Sequence, residues 1–245
     1  MKITLNCLKA DYAVCPSCGS RSIVGMEKEH KCMIDTRKKI IEYKKCLERQ
    51  LCFVNDCKNG IEKIIQEANK IEDGIIRTPF VSTAFTAFGN EIIINLDKIY
   101  DDKLDNDIIS INSIINLFKK NIDKFPIEWQ EEQYLKYCSK YNIDDFVRSF
   151  EPEKKFYSIE NSIISFNNSI TPFEGIIFNL HKHRNKFYAH NEAKYQRNMN
   201  IQKLHNDFPL KEKDIEDLLN IAHLFLLRIS MALGETPLAE HSFFF

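Results

Sequence analysis

The chain is poor in residues that interrupt regular structure: its 245 residues include seven glycines, seven prolines and a single tryptophan. So few breakers argue against a fold of many short strands and tight turns, and favour long uninterrupted elements. No run of about 18 apolar residues occurs, so no membrane-crossing helix is expected; the richest stretch, Ile221 to Leu233, is broken by His223 and Arg228. No amino-terminal hydrophobic region of the signal-peptide type is found, and a cytoplasmic location is the expectation.

An excess of charge of one sign is also missing. Thirty-four Lys and Arg face 35 Asp and Glu, leaving a net charge of −1. The molecule therefore has no global field to gather nucleic acid, and any RNA contact depends on a local patch. Neither a helix-turn-helix nor a basic stripe is evident, which argues against a sequence-specific DNA regulator. The eight cysteines, in a reducing compartment, are free thiols or metal ligands rather than disulfides.

What is abundant is Ile, Leu and Phe at helical spacing, which predicts an all-α fold. Residues 1–35 lack that period and form a cysteine-containing segment; 36–237 read as a helical bundle and 238–245 as an apolar tail ending Phe243-Phe244-Phe245. Thr36 is the expected N-cap of a first helix to about Lys70, with a kink or break at Asn59-Gly60. Thr78-Pro79 opens a second helix, Ser110 caps a third ending near Lys120, and Pro126 resets the chain. One or two short helices are expected around Trp129 and Phe146, and another from Ser158 to Ile170. Thr171-Pro172-Phe173-Glu174 offers an N-cap, a first-turn proline and a capping-box Glu for the next helix, expected to run to about Glu192. A polar connection over 195–209 leads to a last helix, about Lys213 to Leu233, stopped by Gly234. That helix has one apolar stripe from Ile215 to Ala232 and a second line, Leu224, Leu227 and Met231, suited either to a central helix or to a partner surface.

The chemistry concentrates in His181-Lys-His-Arg-Asn-Lys-Phe-Tyr-Ala-His190. Arg184 supplies a permanent, five-donor cation suited to phosphate oxygens, and His190 can exchange a proton near neutral pH. Such a pair can cut a phosphodiester without metal: the histidine moves the proton of an attacking 2′-hydroxyl while the arginine stabilises charge building on phosphorus. Asn185 would orient the phosphate or position Arg184, and Lys182, His183 and Lys186 would bind substrate. Read blandly, the same run is a solvated basic helix end. Arg184, however, falls on the core-facing line between Leu180 and Phe187, where an arginine must be paired or must line a cavity. His190 lies about 120° further round an ideal helix. The reach of the arginine side chain, a distorted helix end, or a second copy of the chain would bring the two together.

Arg184-Asn185-Lys186-x-x-Ala189-His190 resembles the R-x(4–6)-H motif of the HEPN superfamily. Glu91 to Asp102, then Ile109-Ser110-Ile111-x-x-Ile114-Ile115, resembles the second helix, acidic turn and Ser-capped third helix of its abortive-infection U-type branch; Ile215 to Leu233 resembles the closing helix. The likeness spans roughly residues 37 to 237. It implies a HEPN-type bundle that forms a homodimer around paired motifs. It also implies a metal-independent endoribonuclease of toxin–antitoxin or phage-defence (abortive infection) systems, with RNA as substrate and an antitoxin or defence protein as partner. The alternative implied is a non-catalytic HEPN module that binds nucleotide or RNA or docks a partner. Antitoxin-modified HEPN toxins carry a tyrosine two residues after the motif histidine; here that residue is Glu192, with Tyr188 and Tyr195 nearest.

Cys15-Pro-Ser-Cys18-Gly19 has the shape of a zinc knuckle, two thiolates with a glycine behind them. A closed site needs two more ligands, for which His30 and Cys32 are the best supply and Cys7 the reserve. The alternative is a pair of free surface thiols. Cys46, Cys52, Cys57 and Cys138 lie in helical patterns as small core residues.

Overall fold

The structure, a computed structural model, describes residues 12–14, 21–23, 27–69, 79–102, 108–141, 158–185 and 201–235. The chain divides into two compact units, Met1–Glu42 and Tyr43–Phe245, with the boundary inside a helix. Within the first, β1 (Tyr12–Val14) and β2 (Arg21–Ile23) pair antiparallel with Val14 opposite Arg21. All other regular structure among the described residues is helical, as the composition predicts.

Helix α1 spans Glu27–Asn69 without interruption, correcting two expectations. It starts nine residues before Thr36, because Glu27 to Met33 is built of helix formers with an acidic first turn. Nor does Gly60 break it. A Cβ at Gly60 would stand 3.0 Å from a ring carbon of Phe88, so the glycine serves close approach of the helix that carries Phe88. A mid-helix glycine costs about 1 kcal/mol, which such packing can offset.

Helix α2 (Pro79–Ile99) begins where Thr78-Pro79 predicts, and its second half buries Ile92, Ile93, Leu96 and Ile99. Helix α3 (Ile111–Asn121) has the predicted cap at Ser110: the Ser113 N–H donates to its hydroxyl and the Ser110 N–H donates back to Ser113 Oγ. After a short 3₁₀ turn and Pro126 comes α4 (Ile127–Tyr141). Phe118, Phe125 and Trp129 stack edge to face and close this corner. The expected helix around Phe146 falls outside the described residues.

Helix α5 (Ile159–Ile170) is capped by Ser158, and its first N–H is received by the buried Gln130 side chain of α4. The predicted N-cap at Thr171 does not form. Backbone stays helical from Ile170 into a 3₁₀ turn over Thr171–Phe173, so Thr171 Oγ1 donates back to the Asn167 carbonyl. Helix α6 (Glu174–His183) follows directly. Between it and the last helix the expected polar connection contains a helix, α7 (Ile201–Asp207), anchored by the buried Leu204.

Helix α8 (Glu212–Leu233) is the centre of the second unit and packs against α4 and α5. Phe225 meets Phe166 at 4.9 Å between centroids, and Tyr100 stacks on Phe166 while its hydroxyl donates to the Leu218 carbonyl. Gly234 ends the helix at φ 65°, where a Cβ would crowd Gln133 at 3.1–3.2 Å. The second apolar line is largely covered within the chain. Met231 and Leu227 pack on Tyr134, Tyr137 and Cys138 of α4, and of the three only Leu224 is exposed.

Candidate active site

Asp97 sits amid the apolar run of α2, its side chain only 3% exposed. A carboxylate stripped of water needs a cation or donors. They come from α6, which packs along α2. His181 Nδ1 lies 3.3 Å from Asp97 Oδ1, and Arg184 Nη1 lies 3.4 Å from Oδ2. The arginine contact is an ion pair without hydrogen-bond geometry, and Oδ2 accepts no hydrogen bond. Asn185 Nδ2 approaches His181 Nε2 at 2.6 Å. An amide nitrogen can only donate, so Nε2 is the acceptor and the imidazole carries its proton on Nδ1, facing Asp97. Burial pushes the Asp97 carboxyl above its ordinary value and Asp101 adds to that, while His181 and Arg184 pull against it.

Local geometry explains how Arg184 stays usable. Helix α6 widens into a π-helical turn at Arg184 and Asn185. Such turns re-aim side chains and recur at functional sites. Arg184 is 27% exposed and His181 34%, so both touch the buried carboxylate yet reach solvent. The pairing demanded of an arginine on the core-facing line is therefore with Asp97.

The other predicted residues separate. Asn185 holds His181 rather than Arg184. Lys182 lies on the surface with Nζ 4.7 Å from the centre of the Phe178 ring. His183 is turned inward, 1% exposed, with Nε2 donating to the Phe208 carbonyl at 2.7 Å. Burial lowers its pKa and His205 adds to that, against the opposing effect of the Phe208 hydrogen bond. It stays neutral, and its place is that of a latch rather than a substrate contact. Lys186 and His190 lie outside the described residues, as do Cys15 and Cys18 and the side chains of His30 and Cys32. Among the described residues no cluster of three or more His, Cys, Asp or Glu could hold a metal ion.

Asp97 and His181 were not assigned roles from sequence. The signal for Asp97 was there: a single carboxylate between Leu96 and Ile99 on a line of buried residues. His181 had none, since three of four consecutive residues in that turn could be cationic. Protein-family models, curated proteins and solved structures yielded no match to this chain.

Proposed function

We propose that the chain is a metal-independent endoribonuclease of the HEPN type, acting as a toxin or phage-defence effector. The observation that carries the proposal is Arg184, held by a buried carboxylate at a distorted helix end with its guanidinium still open to solvent. His190 removes the proton of an RNA 2′-hydroxyl, whose oxygen bonds to the adjacent phosphorus as the bond to the 5′-oxygen breaks. Arg184 stabilises the charge on the phosphorane-like transition state. The imidazolium returns its proton to the 5′-oxygen, leaving a 2′,3′-cyclic phosphate and a 5′-hydroxyl. Asp97 and His181, braced by Asn185, are positioning residues for Arg184. DNA lacks the nucleophile and is spared.

The decisive experiment is incubation of structured RNA with the protein and a chelator, followed by end-group analysis. Cyclic-phosphate ends are expected, and Arg184→Ala and His190→Ala should each slow cleavage by about 10²–10⁴-fold. RNA binding without cleavage would favour the non-catalytic module instead; wild-type rates in both variants would sink the mechanism.

Two parts of the reading concern assembly. Active protein is a homodimer with the 184–190 segments facing across a two-fold axis, which a crosslink through Asn191→Cys in each copy tests. Zinc bound by Cys15 and Cys18 closes the amino-terminal segment. His30 and Cys32 are the best supply of its other two ligands, with Cys7 the reserve. About one zinc per chain, lost in Cys15→Ser, is the expected metal content.

A further inference from the structure

Helix α6 carries a second feature one turn before the arginine. Phe178 is 53% exposed, an unusual placement for a phenylalanine so near a charged cluster. Phe178, His181, Lys182 and Asn185 follow the i, i+3, i+4, i+7 spacing and share one face of the helix. The ring is not a loose end. Phe208 meets it edge to face at 6.3 Å between centroids. The backbone carrying Phe208 is fastened to the same helix twice: Asn179 Nδ2 donates to the Pro209 carbonyl at 3.0 Å, and His183 Nε2 to the Phe208 carbonyl at 2.7 Å. Both aromatic residues are thus held in place beside the site. Among the described residues outside its own helix backbone and chain neighbours, nothing lies within 4 Å of where a Cβ on Gly175, one turn before the ring, would stand.

Lys182 extends over the Phe178 ring, with its ammonium 4.7 Å from the centroid. Arg184 is six residues from Phe178, a rise of about 9 Å along the helix and about 120° round it; the two are linked through His181, which shares the Phe178 face and meets the same carboxylate as Arg184. An exposed aromatic ring beside an ammonium and a guanidinium offers a nucleotide one surface for its base and two cations for phosphate. Stacking of a base on an aromatic side chain outweighs an exposed ammonium placed over one, so an arriving base displaces Lys182 from the ring and frees its charge for phosphate. Glu174, one turn below Phe178 on the same side, repels phosphate and directs the strand toward Arg184. A paired base cannot offer its face in this way. RNA proteins that use aromatic platforms take unpaired bases splayed out of loops and single strands.

We infer that Phe178 is a base-stacking platform and that the substrate is RNA unpaired at the nucleotide beside the scissile phosphate. This rests on the ribonuclease reading for the chemistry but not for the contact, so binding is measured apart from cleavage. The probe is a fluorescein-labelled 2′-O-methyl oligouridylate of about ten nucleotides, which cannot be cut, with a fully paired 2′-O-methyl duplex of equal length as its comparison. Fluorescence anisotropy with the full chain should show the single strand bound more tightly than the duplex. Phe178→Leu should weaken single-strand binding by about 5- to 100-fold, and Phe178→Tyr should keep it near wild type. Circular dichroism of both variants should match wild type, since the ring is largely exposed. Equal affinity of wild type and Phe178→Leu for the single strand, or a preference for the duplex, would overturn the inference even if RNA is cleaved. Phe178-dependent binding without cleavage would support the platform while refuting the nuclease.

Discussion

Two buried ionic groups among the described residues of the second unit are built differently. Lys44 of α1 is fully enclosed: its ammonium donates to Glu48 at 2.8 Å and to Ser230 of α8 at 3.0 Å, and Ser230 passes its own proton to the Leu226 carbonyl. Glu48 and Ser230 are themselves buried and both distances are short. Asp97 is as deeply placed, but its partners stand 3.3 and 3.4 Å away and are each about one-third exposed. The first group is closed and fixes how α1 meets α8. The second is open on one side, where Arg184 and His181 reach solvent. A buried charge by itself is weak evidence for function. Longer contacts, solvent-facing partners and a π-helical turn together distinguish the site from the brace.

Breaking the brace should have the largest effect. Lys44→Ala removes a buried cation from beside Glu48 and should cost about 3–5 kcal/mol in urea unfolding, whereas the paired change Lys44→Met with Glu48→Leu should be near neutral or stabilising. A cost under about 1 kcal/mol for the single variant would mean that the interior there is wetter than the burial indicates.

Asp97→Asn sharpens the contrast from the other side. It preserves shape and removes the charge, so stability should change by about 1 kcal/mol or less. RNA cleavage should fall about tenfold or more as Arg184 and His181 lose their anchor. Smaller still is the pH effect. The Asp97 carboxyl is raised in the native state, so the native protein holds that proton more tightly than the unfolded chain. Ionised Asp97 therefore costs stability at neutral pH, and the cost fades as pH falls toward the ordinary carboxylate value of 3.8. His183 and His223, both lowered by burial, act in the opposite sense, losing stability below about 6.5. Comparing wild type with Asp97→Asn cancels the histidines, and wild type should gain relative to the variant as pH falls from neutral toward about 4. A flat difference would remove the burial argument for Asp97.

Much of the helical frame could be read in the sequence because its signals are local. Ser110, Ser158 and Gly234 each act through backbone groups within a few residues, and they cap or stop helices as their positions predict. Breakers inside α1 and before α6 misled for the same reason in reverse: Gly60 and Thr171 are local signals overruled by packing against Phe88 and by continuous helical backbone. Arg184 could be chosen for its chemistry and for its inward line. The carboxylate that holds it lies 87 positions earlier on another helix, and nothing local pairs the two. His183 could not be told from His181, because which ring turns inward depends on the Phe208 carbonyl beyond α7, a helix that the polar composition of 195–209 concealed.

The central claim is that the open group works on RNA while the closed one only holds helices together. It is tested most directly by measuring chelator-resistant RNA cleavage for wild type, Asp97→Asn and the Lys44→Met, Glu48→Leu double variant, each normalised to folded protein. The account predicts wild-type cleavage in the double variant and a loss of about tenfold or more in Asp97→Asn. Equal cleavage in Asp97→Asn and wild type, or a loss confined to the double variant, would contradict it.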